Sequence, residues 1–355
     1  MKTRILFLYR ELAGYMVSCM NHLCSTRQVE ADVVAYPVNP EAPFEFEFAP
    51  GVKICPRHEL DEDSLQSMVR QRSYNLIFCG GWSDPAYLRL VKQFPDVCSV
   101  LAFDKQWHGS LRDYAAAIYL RSRIVRHFDY AFVPGLEQFR FARAMGFQAN
   151  QVAEGLYCCD QGVFEAAYTR RLSAAASQGP RRIWFSGRYI SAKCVEEMQR
   201  EMAILLDQYL PEWELHCVGT GALFSQRLAH PRIIHHGFVQ PEELGLLIDE
   251  GEINILPSRF EPWALSVHEF ATAGYALIVS DRVGARTAFV EEGVNGLIFP
   301  SGNWPAFREA VLKLCKADRD QLRRMGSRSH ALASCISQES WSESIMAMVQ
   351  RQRVG

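Results

Sequence analysis

The stretch NILPSRFEPWALSVHEFATAGYALIVSD, residues 254–281, decides the fold. NILPS (254–258) is a short apolar run closed by Pro257 and Ser258, the pattern of a buried parallel strand. Glu261 then falls in a loop, and Pro262 suits the first turn of a helix, where its missing N–H costs nothing. The helix is expected to run through Leu265, Val267, Phe270 and Ala271 to a stop near Gly274, with Glu269 two turns inside it. A second apolar strand, ALIVSD (276–281), follows at once. Strand, loop and helix N-terminus in this order leave unpaired backbone N–H groups and the positive end of a helix dipole at the carboxyl edge of a sheet, which suits a phosphate. Two glutamates separated by seven residues are, taken alone, what a solvated surface often carries. Here one carboxylate on the loop and one on the helix can converge on one polar ligand.

Upstream, IWFSGRYISAK (183–193) is a strand, a turn at Gly187 and two cations, Arg188 and Lys193, at the sheet edge. Each cation alone is an ordinary exposed charge; together, a guanidinium fork and an ammonium suit a polyanion. WELHCVGTGAL (213–223) ends a strand in Gly219 and Gly221. A dinucleotide fingerprint would need a third glycine where Phe224 stands and an acidic residue closing the next strand, so hydride transfer is not expected. The strand RIIHHGFVQ and a helix start at PEEL (241–244) follow. Beyond residue 281, Gly284 can open a helix and Asn295-Gly296 makes a tight turn before the strand GLIF.

In order and spacing, the Glu-x7-Glu pair, the small residues before ALIVSD and the Asn-Gly turn resemble the donor-binding half of the retaining glycosyltransferases of family 4, which have the GT-B fold. The resemblance is strong over roughly residues 180–302 and mostly topological over the first 150. It implies an α/β chain of two doubly wound Rossmann-like domains facing a central cleft. By the same resemblance Arg188 and Lys193 hold the donor diphosphate, Glu261 contacts the donor sugar, and Glu269 binds the ribose hydroxyls. The turn at Gly187 and the backbone at Gly219 and Gly221 approach the nucleotide, and the main-chain N–H groups near Ala264 and Leu265 meet the diphosphate. Ala264 stands where a glycine is common. The implied reaction moves a hexose-type sugar from a nucleotide diphosphate, UDP in preference to GDP, to a hydroxyl of a glycan, lipid-linked saccharide or small molecule. It implies no metal, no cofactor beyond the nucleotide-sugar co-substrate, and no protein nucleophile. Other readings stay open: a non-catalytic scaffold or partner subunit, a nucleotide-sugar epimerase, or a pyridoxal-dependent phosphorylase on a related frame.

The first half alternates strands (RILFLY, DVVAY, VKIC, NLIFCGG, CSVLAF, YAFVP) with helical stretches such as 61–72 and 111–126, which argues for a parallel sheet covered on both faces. Gly14 follows the first strand, and the resemblance makes it the loop that approaches donor or acceptor, with the usual double glycine reduced to Ala13-Gly14. His108, after CSVLAF, resembles the family residue that hydrogen-bonds the transferred sugar; a capping or packing role is the other reading. Arg112 and Asp113 are candidates to position the acceptor. Arg121, Arg123 and Arg126 form a basic cluster that is most simply a solvated face, with weak peripheral membrane contact the lesser expectation.

A length of 355 residues fits two domains. They are read as 1–155, binding acceptor, and 156–335, binding donor, with 336–355 a helix crossing back to the first. TRRLSAAASQGPRR (169–182) is read as an exposed linker or loop. A formal charge of −2 gives no reason to expect nucleic acid, and 48% apolar content argues against disorder. No apolar run reaches the roughly 20 residues of a membrane span, and Arg10 and Glu11 interrupt the first apolar run. A cytoplasmic place, with the inner membrane face as a variant, is the expectation. Eleven cysteines without a Cys-x-x-Cys pair read as reduced, mostly apolar side chains.

Overall fold

The computed structural model describes residues 2–38, 43–173 and 179–352. The chain divides into two compact units, Met1–Cys158 with Ile336–Gly355, and Cys159–Cys335.

The first unit is built on seven parallel strands: β1 (Thr3–Tyr9), β2 (Val29–Ala35), β3 (Val52–Pro56), β4 (Leu76–Gly80), β5 (Cys98–Ala102), β6 (Tyr130–Val133) and β7 (Val152–Glu154). Their spatial order is β3-β2-β1-β4-β5-β6-β7. The unbroken apolar run of β1 follows from burial on both faces. Ile5, Phe7 and Tyr9 enter one core and Leu6 and Leu8 the other. The helix Gln338–Gln352 gives Trp341, Ile345 and Met348 to the first of these cores.

The second unit holds six parallel strands: β8 (Arg181–Ser186), β9 (Trp213–Val218), β10 (Ile233–Gly237), β11 (Ile253–Leu256), β12 (Ala276–Ser280) and β13 (Gly296–Phe299), in the order β10-β9-β8-β11-β12-β13. Both sheets reverse their winding once, between β1 and β4 and between β8 and β11. The loops leaving the two strands at such a point part to opposite faces and open a crevice at the carboxyl edge. Two Rossmann-like α/β units are thus present, and the residues of 183–193 and 254–269 leave the strands at the second switch point.

Two expectations are corrected. The helix after β11 spans Leu265–Thr272, so Pro262 precedes it and Glu269 is its fifth residue, little more than one turn in. Its onset is delayed because Trp263 is buried against Phe289, ring centroids 5.8 Å apart, which holds residues 261–264 in an irregular loop. Of the expected linker, residues 169–173 finish a helix, Gln161–Ser173, Arg181 and Arg182 begin β8, and residues 174–178 lie outside the described residues. The arginines there are spent structurally. The Arg171 guanidinium donates to the carbonyls of Ala273, of Gly274 at 3.0 Å and of Gly251 at 2.7 Å, and lies 3.7 Å over the Tyr275 ring. Arg170 pairs with Asp249 at 2.7 Å. Arg171 thereby clamps the loops entering β11 and β12. We expect Arg171→Ala to leave three carbonyls unsatisfied and lower the unfolding free energy by about 3 kcal/mol, read from a urea midpoint at unchanged slope.

Candidate functional site

At the end of β8 the chain turns through Gly187 and the exposed Arg188 into a one-turn helix, Ser191–Lys193, and then into the helix Val195–Gln208. The Ala192 carbonyl accepts the Arg259 N–H at 2.7 Å, which ties this turn to the loop after β11. Lys193 is ion-paired with Glu261, and both side chains are largely buried, 13% and 14% exposed, so solvent screens the pair little. Glu261 is also fixed through its backbone: its N–H donates to the Arg282 carbonyl at 3.3 Å and its own carbonyl accepts the Gly284 N–H at 3.0 Å. The Trp263 carbonyl accepts from Ala285 N–H at 2.7 Å. Three strand-end loops, after β8, β11 and β12, therefore form one stitched edge around Glu261.

The helix Leu265–Thr272 starts at Ala264, whose φ of 81° and ψ of 85° lie in the left-handed region that favours glycine, and no side chain caps it. The Val267 N–H of its first turn already donates to the Ala264 carbonyl at 3.2 Å, and the earlier N–H groups, at Leu265 and Ser266, are those a helix start leaves for solvent or an anion. Glu269, half-buried on this helix, has no hydrogen-bond or ion-pair partner for its carboxylate among the described residues, and burial pushes its pKa up to about 7. His268 beside it is structural. It is buried, accepts the Cys159 N–H at Nδ1 (3.2 Å), donates from Nε2 to the Ala333 carbonyl (3.1 Å) and stacks on Phe289 at 4.4 Å. Those contacts set the rotation of the helix and so the direction of Glu269.

Gly219 and Gly221 have φ of 127° and 147°. A Cβ on Gly219 would sit 2.1 Å from the Gly187 carbonyl oxygen, and one on Gly221 would sit 2.8 Å from that of Tyr189. The turn after β9 packs directly on the turn after β8, held by Gly187 N–H to Val218 (3.0 Å) and Tyr189 N–H to Thr220 (2.8 Å). These glycines are thus required first by turn-on-turn packing, which positions Arg188.

The other two expected site residues belong to the first unit. Gly14 opens the helix Gly14–Thr26 after β1, and a Cβ there would have room, 3.8 Å from the Phe44 ring. His108 is exposed in the loop after β5, and its backbone N–H donates to Asp113 at 3.1 Å. Asp113 is committed to a capping box with Ser110 and to Lys105 at 3.0 Å. Burial opposes its ionisation, but the hydrogen bonds of Lys105, Ser110 and the His108 N–H hold its pKa at about 2. It organises the loop, with Oδ2 accepting from the His108 and Ser110 N–H groups and the Ser110 hydroxyl and Oδ1 from Lys105. The pattern Ser-x-x-Asp at 110–113 was the signal for that role.

Comparison with known proteins adds a match over part of the second unit. Residues 180–317 match the model for Glycosyl transferases group 1. This span holds Arg188, Lys193, Gly219, Glu261 and Glu269. Alpha-D-kanosaminyltransferase of Streptomyces kanamyceticus is 29% identical over 92 residues, 26% of this chain and 24% of that protein, so the match spans about a quarter of the relative's length. Among solved structures, sucrose-phosphate synthase from Thermosynechococcus elongatus superposes with a TM-score of 0.73 over 99% of both chains at 17% identity. Anabaena HepE in complex with UDP and glucose superposes with a TM-score of 0.71 at 16% identity, over 98% of this chain and 100% of that one. At such identities the superpositions establish the fold, which is of GT-B type.

One group inside the glycosyl transferases group 1 span was not anticipated. His216 bridges Glu214 (3.1 Å) and His236 (3.0 Å), and both imidazoles lie against Trp184, at 4.7 and 5.5 Å. Burial lowers the pKa of both histidines. Their meeting depends on the register of three adjacent strands, which a single strand's pattern does not contain.

Proposed function

We propose that this chain is a retaining glycosyltransferase that moves a hexose-type sugar from a nucleotide diphosphate, with UDP favoured, to an acceptor hydroxyl on a glycan, lipid-linked saccharide or small molecule. One observation carries the reading: a buried cation, Lys193, a fixed carboxylate, Glu261, a helix N-terminus without a side-chain cap and a carboxyl, Glu269, unpartnered among the described residues leave the switch-point strands of one sheet together. The glycosyl transferases group 1 match over residues 180–317 supports it.

In this reading the diphosphate lies against the first-turn N–H groups at Leu265, with Arg188 and Lys193 neutralising charge that grows on the leaving diphosphate oxygen. Donor entry draws Lys193 to phosphate and releases Glu261 to the sugar hydroxyls. No protein nucleophile is assigned: the leaving oxygen helps deprotonate the acceptor on the same face, and the protein contributes charge stabilisation and positioning. His108 contributes a hydrogen bond to the transferred sugar, and Gly14 admits the substrate close to the chain. Glu269 accepts from the two ribose hydroxyls.

Thermal-shift titration with UDP, GDP, ADP and their sugar conjugates, followed by acceptor screening, tests the proposal. Selective stabilisation by one nucleotide sugar and subsequent transfer with retained anomeric configuration are expected. Nucleotide binding without turnover on any acceptor would favour a scaffold, and donor conversion without acceptor an epimerase.

The ribose role has a pH signature. Ribose diols bind the ionised carboxylate, so with a pKa of about 7 the affinity for a nucleotide sugar should rise by about tenfold from pH 6 to 8. Glu269→Gln should bind weakly and show a flat profile by calorimetry. The same carboxyl makes the free protein less stable as pH rises. Its folded pKa, about 7, exceeds the ordinary 4.5, so between those values the unfolded chain has already lost the proton the folded chain keeps, a cost of up to about 3 kcal/mol.

A further inference from the structure

The helix Leu111–Arg123 in the first unit turns an apolar face to solvent. Leu111 and Ile118 are the two most exposed large apolar side chains among the described residues, at 88% and 69%, and Tyr114 and Tyr119 on the same helix are 53% and 61% exposed. At about 100° per residue, Leu111, Tyr114, Ala115, Ile118 and Tyr119 cover an arc of about 140°. Arg121 borders the arc on one side, and Arg112 and Arg123 border it on the other. The opposite stripe, Asp113, Ala117 and Leu120, is buried, so the helix is oriented by its own inner face, and its outer face is exposed among the described residues of the first unit. Its one acidic residue is Asp113, already spent on Lys105 and Ser110. A second feature lies at the C-terminal end of this helix. A surface pocket there is lined by Arg89, Lys92, Arg123, Arg126 and His127, with no carboxylate in its wall. Arg89 is paired with Glu62, whereas Lys92 and Arg123 have no ion-pair partner among the described residues.

A solvent-facing apolar arc bordered by arginines is the reverse of a solvated helix face, where charge would occupy the centre. In water it exposes Leu, Ile and two tyrosines without compensation. At a bilayer surface each part is satisfied: the aliphatic groups enter the acyl boundary, the tyrosines sit at headgroup depth, and the flanking guanidiniums reach phosphates. The pocket adds a place for one phosphodiester headgroup. We propose that this face docks on an anionic phospholipid surface, with Leu111, Tyr114, Ile118 and Tyr119 inserted and Arg112, Arg121, Arg123 and the Lys92 pocket on headgroups. The association is peripheral, since no helix among the described residues is long and apolar enough to cross a membrane. It does not depend on the transfer reaction, because none of these residues belongs to the donor site.

The test is flotation of the full chain with vesicles of phosphatidylcholine alone and of phosphatidylcholine mixed with phosphatidylglycerol. Binding to the mixed vesicles only, weakened by added salt, is expected. Ile118→Asp and Arg123→Glu should each lower the bound fraction about fivefold or more, with the melting temperature and nucleotide-sugar affinity of the wild type. No binding to either vesicle, or equal binding to both, would overturn the proposal. So would a wild-type dimer in sedimentation that Ile118→Asp dissociates, since the arc would then be covered by a second copy.

Discussion

Arg188→Ala is expected to lower turnover at saturating nucleotide sugar by about 10²–10³-fold, the usual consequence of removing one fixed charge from a developing oxyanion. Arg188 is exposed on the turn after β8, so its loss should leave the melting temperature almost unchanged, and the defect is readable as chemistry. Lys193→Ala should show a comparable fall in turnover together with a loss of stability. It removes the ion pair with the Glu261 carboxylate, which is only 14% exposed. The pair Lys193→Ala with Glu261→Ala should recover much of that stability and none of the turnover. Normal turnover of Arg188→Ala at saturating donor would remove its leaving-group role.

Gly219→Ala should be among the most damaging single-methyl changes at the described residues. The added Cβ meets the Gly187 carbonyl oxygen at 2.1 Å, backbone against backbone, at a φ of 127° that an L side chain rarely adopts. Either the sheet edge opens or the turn bearing Arg188 moves. A loss of about 3 kcal/mol or more is expected, with nucleotide-sugar binding weakened by at least about tenfold. Gly14→Ala is the control, because its Cβ has room and its backbone is unstrained, and it should fold as the wild type does. Equal tolerance at Gly219 and Gly14 in denaturation midpoints would show that the two turns do not pack as described.

Most of the architecture was legible because parallel strands buried on both faces leave unbroken apolar runs. RILFLY, NLIFC and ALIVSD stand out for that reason, and their loops follow by elimination. The misreadings came from contacts remote in sequence. Pro262 is a good helix opener, but Trp263 found a pocket against Phe289, and that packing overrode the local preference and pushed the start to Leu265. Arg170 and Arg171 sit in a run of small and basic residues that looks like a linker. Their partners, Asp249, Gly251 and Gly274, lie some 80 to 100 positions away. At the candidate site the sequence places both glutamates and both cations near one strand edge. It could not show that Lys193 and Glu261 already hold each other, nor that Glu269 has no side-chain partner among the described residues.

The first unit is assembled from both ends of the chain, and this sets the order in which it can be completed. Trp341 donates its indole N–H to the Leu156 carbonyl at 3.1 Å, and its ring lies within about 6.5 Å of those of Phe7, Phe78 and Phe132. A ribosome releases those three phenylalanines long before it reaches residue 341. At about 5–20 residues per second, the whole second unit is made in an interval of roughly ten to forty seconds. Throughout it, one face of the first sheet lacks its closing helix and presents aromatic surface to chaperones or neighbouring chains, while residues 159–335 form an uninterrupted stretch able to fold first. The later half of the polypeptide is thus the one placed to reach its native packing early, and the earlier half waits for the final helix to seal it.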